Sequence, residues 1–448
     1  MADIAGTFGT RLLLLPITML GSIVAARALQ PEGRGIYASA VTLTNFILLV
    51  GSPGLGKAAI YYLGRSTISG PDVRRTAFWL SVANGVALSG VLVVTAYVVV
   101  PRWLPDLPTS AVLLAAPLAF LGVLRGIWES FLRAAHRNLQ TNIGALLSSA
   151  VMTGSFIVIA WAGRLDEDTA ILIRVVATAV AALAAAVMLK GHQLPSRLPS
   201  VSWPTARLLL TYGVPYATMS LAQSMNYDFD ILLVQRFLGN GPVGHYSIAA
   251  SFSEILWYLP MAVGFVLFPR AAAMSGAAAA RETATFMRWT FALTLVGSLF
   301  IAVAAKPIVL VMYGRTYLPA VDPLRLLLIG TVTCCWYHVL SAYLSGQGKL
   351  RQMMIASMAG VVLNVAFNVA LIPRMGLEGA ALGSTISYTV TGLLALYFFS
   401  EATALPMREG LLPSRGEVTY QLERARSLAV QMRGRLGRQR LARKGDAE

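Results

Sequence analysis

Arg27-Ala28-Leu29-Gln30-Pro31-Glu32-Gly33-Arg34-Gly35-Ile36-Tyr37-Ala38-Ser39-Ala40 returns, 209 positions on, as Arg236-Phe237-Leu238-Gly239-Asn240-Gly241-Pro242-Val243-Gly244-His245-Tyr246-Ser247-Ile248-Ala249. The shared pattern is Arg-x-Leu-x5-Gly-x-Tyr-x2-Ala: the end of one apolar run, a Gly/Pro turn, and the start of the next. A weaker pair, Phe131-Leu132 through Gln140 and Tyr343-Leu344 through Gln352, repeats at an offset of 212. Six apolar runs separate equivalent points, so the two halves share one orientation and form a parallel repeat.

Outward from this turn, twelve apolar runs can be read, at about 8–29, 36–56, 76–100, 110–132, 141–162, 169–189, 208–238, 243–268, 287–312, 321–344, 352–373 and 378–400. Each reaches the roughly 20 helical residues that cross a hydrocarbon core of about 30 Å. Of the 448 residues, 56% are hydrophobic and 12% charged, where a soluble domain carries about 25% charged. A soluble multidomain chain is thereby excluded. The expectation is an all-α integral membrane protein of about 12 transmembrane helices in two parallel six-helix bundles. The first bundle takes residues 1–190, a proline-bearing cytoplasmic linker 191–207, the second bundle 208–400, and a basic cytoplasmic tail 401–448.

The net charge of +16 resolves along this topology rather than marking a nucleic-acid partner. With the N-terminus inside, the outer loops hold seven basic residues against seven acidic ones, whereas the inner segments before residue 401 hold fifteen basic residues. Such a bias puts both termini in the cytoplasm. The first run, with Asp3 before it and no basic cluster, is read as a retained helix rather than a secretory signal. In the tail, Val418, Leu422, Ala425, Ala429, Met432 and Leu436 draw an apolar stripe among eight basic residues between Arg424 and Lys444. That pattern suits an amphipathic helix lying on an anionic inner leaflet, or docking on a cytoplasmic biosynthetic protein.

Charges inside the runs need a cavity or a partner, since each costs about 2.5–3.5 kcal/mol at mid-bilayer. They are Arg125, Arg174, Arg236 and Arg325 with Glu129, Asp228, Asp230 and Glu254. Arg125 and Glu129, four apart, can pair on one helix face. Tyr216, Ser220, Gln223, Tyr227 and Asp230 form a polar stripe on the seventh run, and Ser247, Ser251, Glu254 and Tyr258 another on the eighth. Two readings stand for these stripes: hydrogen-bonded glue between helices, or a hydrated cleft where Asp230, Glu254 or Asp228 exchanges a proton or Na⁺. Asn364 and Asn368, one turn apart, suit helix glue or contacts to sugar hydroxyls. Arg27 and Arg236 either snorkel to the outer interface or face the space between bundles.

Cys334 and Cys335 are the only cysteines and offer neither a disulfide framework nor a metal site. The four histidines fall in no catalytic pattern, and the short outer loops leave no room for the catalytic constellation of a membrane polymerase or ligase. No enzyme, metal or bound cofactor is expected.

The turn Ala28-Leu29-Gln30-Pro31-Glu32-Gly33-Arg34-Gly35-Ile36-Tyr37 resembles the start of Wzx-type oligosaccharide flippases of the multidrug/oligosaccharidyl-lipid/polysaccharide exporter (MOP) superfamily, with Gln30 where glycine is usual. The segment from Asp230 to Gly239, followed by Val243-Gly244-His245-Tyr246-Ser247, is similar to the second-half motif of the same family. This resemblance covers about 8–400. It implies a fold like that of the multidrug (MATE) branch, with a central cleft, and a polyprenyl-pyrophosphate-linked oligosaccharide passed from the inner to the outer leaflet of a bacterial cytoplasmic membrane. It further implies arginines as ligands of the anionic head group, with Arg27, Arg236 and Arg125 first and Arg174 and Arg325 next. Guanidinium suits phosphate through paired hydrogen bonds. The competing expectation is a multidrug cation antiporter of the same superfamily, which the acids Asp228, Asp230 and Glu254 would serve.

Overall fold

The computed structural model describes residues 2–65, 69–189, 201–273, 277–403, 405 and 406. The linker residues 191–200 and the tail stripe from Val418 to Leu436 lie outside them. Every regular element among the described residues is helical, as a bilayer demands of a chain that must satisfy its own backbone donors and acceptors. In order they are α1 (Ala2–Gly51), α2 (Leu55–Arg65), α3 (Gly70–Val98), α4 (Val100–Trp103), α5 (Thr109–Ala115), α6 (Pro117–Ala134), α7 (Asn138–Trp161) and α8 (Glu167–Met188). After the linker come α9 (Trp203–Leu238), α10 (Asn240–Ile255), α11 (Tyr258–Ala273), α12 (Ala277–Met312), a 3-10 turn (Arg315–Ala320), α13 (Val321–Gly346) and α14 (Leu350–Thr403).

Among the described residues, eight helices are long and apolar enough to cross a membrane, and the bent pair α10 and α11 makes a ninth. The chain is a multi-pass membrane protein. Two of the eight are double: α1 is interrupted at Gln30 (φ 56°) and α14 at Gly376 (φ 62°). The 36-residue α9 falls outside the apolar set because it carries Asp228, Asp230, Arg236 and several hydroxyls.

Breaks fall where the residues require them. Gln30 holds a left-handed conformation uncommon for a residue with a Cβ, and its side-chain amide donates to the Arg27 carbonyl at 2.7 Å, satisfying a group the break frees. Pro31 then opens the next helical arm, where its missing N–H costs nothing. Asp166 caps α8 by accepting from the Thr169 N–H at 2.8 Å. Hydrogen bonds from Thr169 hold the Asp166 carboxyl below its ordinary pKa.

Four buried apolar clusters make up the interior. Two draw mainly on residues before 190, around Leu92, Leu104 and Ile171 and around Ile127 and Leu132. The other two draw mainly on residues after 232, around Tyr246, Tyr317 and Leu324 and around Met287, Cys334 and Leu340. Between the halves run α1 against α9 and α10, and α2 against α9. There the duplicated turn acquires a role. A methyl group at Gly35 would stand 1.8 Å from the Asn240 carbonyl oxygen, and one at Gly244 would stand 2.0 Å from that of Pro31. Gly35 and Gly244 are counterparts in the repeat, and so are Pro31 and Asn240. The contact is therefore reciprocal, each glycine admitting the other half's turn to backbone distance.

Candidate functional site: a cavity walled by both repeats

Below that seam lies a cavity of about 360 Å³ between the arms of α1, α7 and α8 on one side and α9, α10 and Tyr258 on the other. Its first-half wall carries Arg34 and Arg174, and its second-half wall carries Asp228 and Glu254. The stripe Ser247, Ser251, Glu254 and Tyr258 lines it in full. Arg34 stands over the Tyr37 ring at 5.5 Å, reaches Ser22 Oγ at 3.5 Å, and leaves its buried Nε without a partner among the described residues. Arg174 touches the Met152 sulfur at 3.6 Å. None of the ion pairs among the described residues involves Arg34, Arg174, Asp228 or Glu254. Four ionisable groups thus face one cavity without an ion pair among the described residues, an arrangement that water or a ligand filling the space would satisfy.

On α9 the two carboxylates divide. Residues two apart on a helix lie nearly opposite, at about 100° per residue. Asp228 is exposed to the cavity, whereas Asp230 is 2% exposed and turned into the second half. There Tyr246 Oη donates to Asp230 Oδ2 at 2.6 Å and Ser384 Oγ donates to the same oxygen at 2.8 Å. The stripe expected through Tyr216, Ser220, Tyr227 and Asp230 splits accordingly. Its first two members line cleft space, while Tyr227 packs on Trp257, His338 and Tyr388. Gln223 is outside the side chains described. The row that faces the cleft along α9 is Ser220, Ser224 and Asp228, at four-residue steps.

The other expected site residues lie elsewhere. Arg27 donates from Nε to the Met312 carbonyl at 2.8 Å and from a terminal nitrogen to the Val311 carbonyl, binding the open C-terminal end of α12. Such a cation on terminal carbonyls also meets the negative end of the helix dipole. Arg236 is exposed in the last turn of α9. Arg325 donates to Asp322 and to the Ala302 carbonyl, both at 3.2 Å, at the start of α13. Asn364 and Asn368 are fully buried: Asn368 donates to Asn364, which donates to Ser384 and to the Asn226 carbonyl. Arg125 bonds Glu129 at 2.6 Å, Glu129 also accepts from Arg133 at 2.8 Å, and Arg125 shares a smaller adjoining cavity with Arg174 and Thr178.

Two groups escaped sequence reasoning. Arg34 sits between Pro31 and Tyr37, where it reads as a loop charge; its signal was the Arg34-x2-Tyr37 spacing, which stacks the guanidinium on the ring. The second group is a buried chain at the seam, in which Ser39 donates to Gln235, Gln235 to Asn240, and Asn240 to Glu32 and to the Asp106 carbonyl.

A family model described as "Polysaccharide biosynthesis protein" matches residues 24–322, two thirds of the chain. The chain belongs to the polysaccharide biosynthesis protein family. The matched stretch holds the reciprocal seam and all four cavity charges, and ends before Arg325, Asn364 and Asn368. Among curated relatives, an uncharacterized membrane protein of Methanocaldococcus jannaschii, MJ1068, is 26% identical over 44% of this chain and 39% of its own length. A probable multidrug resistance protein, NorM, of Pseudomonas putida is 29% identical over 46% of this chain and 48% of its own. The chain thus spans less than half the length of these relatives.

Among solved structures, an inward-facing MATE family multidrug transporter of the MOP superfamily superposes with a TM-score of 0.74, at 16% identity, over 86% of this chain and 94% of the other. The lipid II flippase MurJ, in an inward closed conformation, superposes at 0.73, with 14% identity, over 91% and 89%. This member of the polysaccharide biosynthesis protein family therefore has the MATE-like fold of MOP transporters, as the turn motif led one to expect.

Proposed function

We propose that the protein carries a polyprenyl-pyrophosphate-linked oligosaccharide from the inner to the outer leaflet of a bacterial cytoplasmic membrane by alternating access of its two halves. The observation that carries this reading is the cavity in which Arg34 and Arg174 face the space between the halves with no carboxylate partner, in a chain of the polysaccharide biosynthesis protein family. Two guanidinium groups on one wall suit a pyrophosphate, each supplying paired donors to phosphate oxygens. Arg125, beside Arg174, extends this basic wall. An inside-negative potential favours outward movement of an anion by about 2.3 kcal/mol per charge per 100 mV, so no coupling ion is required. In this reading the termini are cytoplasmic and the basic tail rests on the anionic inner leaflet.

Replacing Arg34 and Arg174 together by Ala should lower glycan export at least about 100-fold, since each charged hydrogen-bonded contact contributes about 1.5–3 kcal/mol. The measurement is complementation of an export-deficient strain at matched protein abundance. Normal export by the double variant would sink the assignment.

Asp228 and Glu254, on the opposite wall, favour a second reading, cation exchange with a proton or Na⁺ as the partner ion; similarity to multidrug resistance proteins points the same way. Efflux of a fluorescent cationic dye, lost in Asp228→Asn and kept in Arg34→Ala, would select it. Asp230, already engaged by Tyr246 and Ser384, is assigned to holding α9 against α10 and α14.

A further inference from the structure

A second cavity, of about 420 Å³, lies toward the other end of the cleft, where the Pro53-Gly54 break meets α2, α3, α6 and α9. Its chemistry differs from that of the charged cavity. The Lys57 ammonium sits on the Tyr216 ring at 5.2 Å, and Glu129 is held by Arg125 and Arg133. Besides Lys57, Glu129 and Arg133, the polar groups lining the space are uncharged: the amides of Asn45 and Asn84, the hydroxyls of Ser52, Ser81 and Ser220, and the half-buried Tyr216.

Asn45 is the telling residue. It is exposed in the middle of an apolar helical arm, where a lipid-facing amide would be costly. It lines this cavity, a small one shared with Asp228, and the one shared with Arg125 and Arg174. Neither Asn45 nor Asn84 has a hydrogen-bond partner among the described residues. An unsatisfied amide offers a donor pair and an acceptor side by side, the complement of adjacent hydroxyl groups. An aromatic ring supplies the apolar surface on which the C–H face of a sugar ring rests. Lys57 lies against the Tyr216 ring with no ion pair among the described residues, and beside it an uncharged polyol finds donors, acceptors and a ring.

We propose that this cavity is a neutral-saccharide subsite, built on Asn45, Asn84 and Tyr216 and separate from the guanidinium pair at Arg34 and Arg174. The inference rests on the oligosaccharide reading above and gives it a division of labour: the anionic linkage at one end of the cleft, sugar rings at the other.

The test uses the full chain in nanodiscs and two kinds of probe. Saturation-transfer NMR follows a panel of free neutral hexoses and N-acetylhexosamines, and calorimetry follows inorganic pyrophosphate. At least one sugar should bind wild type with saturation strongest on its C–H protons. Asn45→Ala with Asn84→Ala should weaken that binding about tenfold, the loss of one or two neutral hydrogen bonds, and leave pyrophosphate affinity within about twofold. Tyr216→Ala should remove the C–H saturation while Tyr216→Phe retains it, which separates ring contact from a folding defect. Arg34→Ala should do the reverse, weakening pyrophosphate and sparing the sugar. If no neutral sugar binds wild type, or if the Asn variants bind it as wild type does, the subsite is overturned. If sugar binding depends on Asn45 and Asn84 but pyrophosphate does not bind at all, the subsite stands and the head-group assignment fails. A lipid-linked saccharide that binds more tightly than the same free sugar, by a margin lost in Arg34→Ala, would identify the linked form as the cargo.

Discussion

The two ends of the seam between the halves are closed by different means. At the Gln30 end the contact is made twice, Gly35 against Asn240 and Gly244 against Pro31, and the buried chain from Ser39 through Gln235 and Asn240 to Glu32 reinforces it. At the other end a different glycine pair closes it: a methyl group at Gly54 would stand 2.2 Å from the Gly213 carbonyl oxygen and one at Gly213 would stand 2.3 Å from that of Pro53, but Gly54 and Gly213 are not counterparts in the repeat. The repeat-related contact marks the end where the halves still match. The glycine pair that the repeat does not relate marks the end where they have diverged, beside the second cavity.

The sharpest way to break this contrast is to give the repeat-related end side chains. Gly35→Ala or Gly244→Ala forces backbone apart from backbone, a strain of about 3 kcal/mol or more. Each should lower thermal stability in detergent and expose a Ser251→Cys cavity thiol to impermeant reagents added from the Gln30 side. Gly90→Ala, with nothing within 4 Å, should change neither reading.

Gly54→Ala comes next, combining a positive φ of 69° with the close approach to Gly213. It should loosen the opposite end, so that the same Ser251→Cys thiol gains reactivity from that side only. Equal labelling from both sides would mean the ends are not separately held.

A smaller effect is expected from Arg27→Ala, which frees the terminal carbonyls of α12 and should cost about 1–2 kcal/mol of stability. Export at matched abundance should fall far less than in the Arg34 and Arg174 double variant. Asp166→Ala should cost least, about 1 kcal/mol for a lost helix cap. Because hydrogen bonds depress the Asp166 pKa, this contribution is present above the ordinary carboxylate range and disappears as pH falls through the lowered value. The stability gap between wild type and Asp166→Ala should therefore close in acid.

Much of the fold was legible because lipid leaves a chain few options. Apolar runs long enough to span, broken by Gly and Pro, must be helices, and a turn repeated at a fixed offset must recur in three dimensions. The charged cavity was only half legible. Ser247, Ser251 and Glu254 project from one face of α10, so their spacing alone aligned them, while Tyr258 reaches the same cavity from the start of α11. Asp228 and Asp230 differ by a rotation that composition does not resolve, and packing of Tyr246 and Ser384 decides which of them is enclosed. Arg27 and Arg34 straddle a turn, and only the path set by Gln30 sends one to the carbonyls of α12 and the other inward. The glycines of the motif were visible throughout; their purpose required knowing what stood opposite.

Reciprocal contact at the seam makes the chain behave as a dimer of its own halves, and fusing a dimer has a chemical consequence. Two identical subunits would have to face Arg with Arg and Glu with Glu across their axis. In one chain the counterparts are free to differ: Arg34 corresponds to Val243, Asp228 to Met19, and Glu254 to Asn45. Joining the halves is what permits a basic wall to confront an acidic one, and an amide to stand in one half where the other keeps a carboxylate.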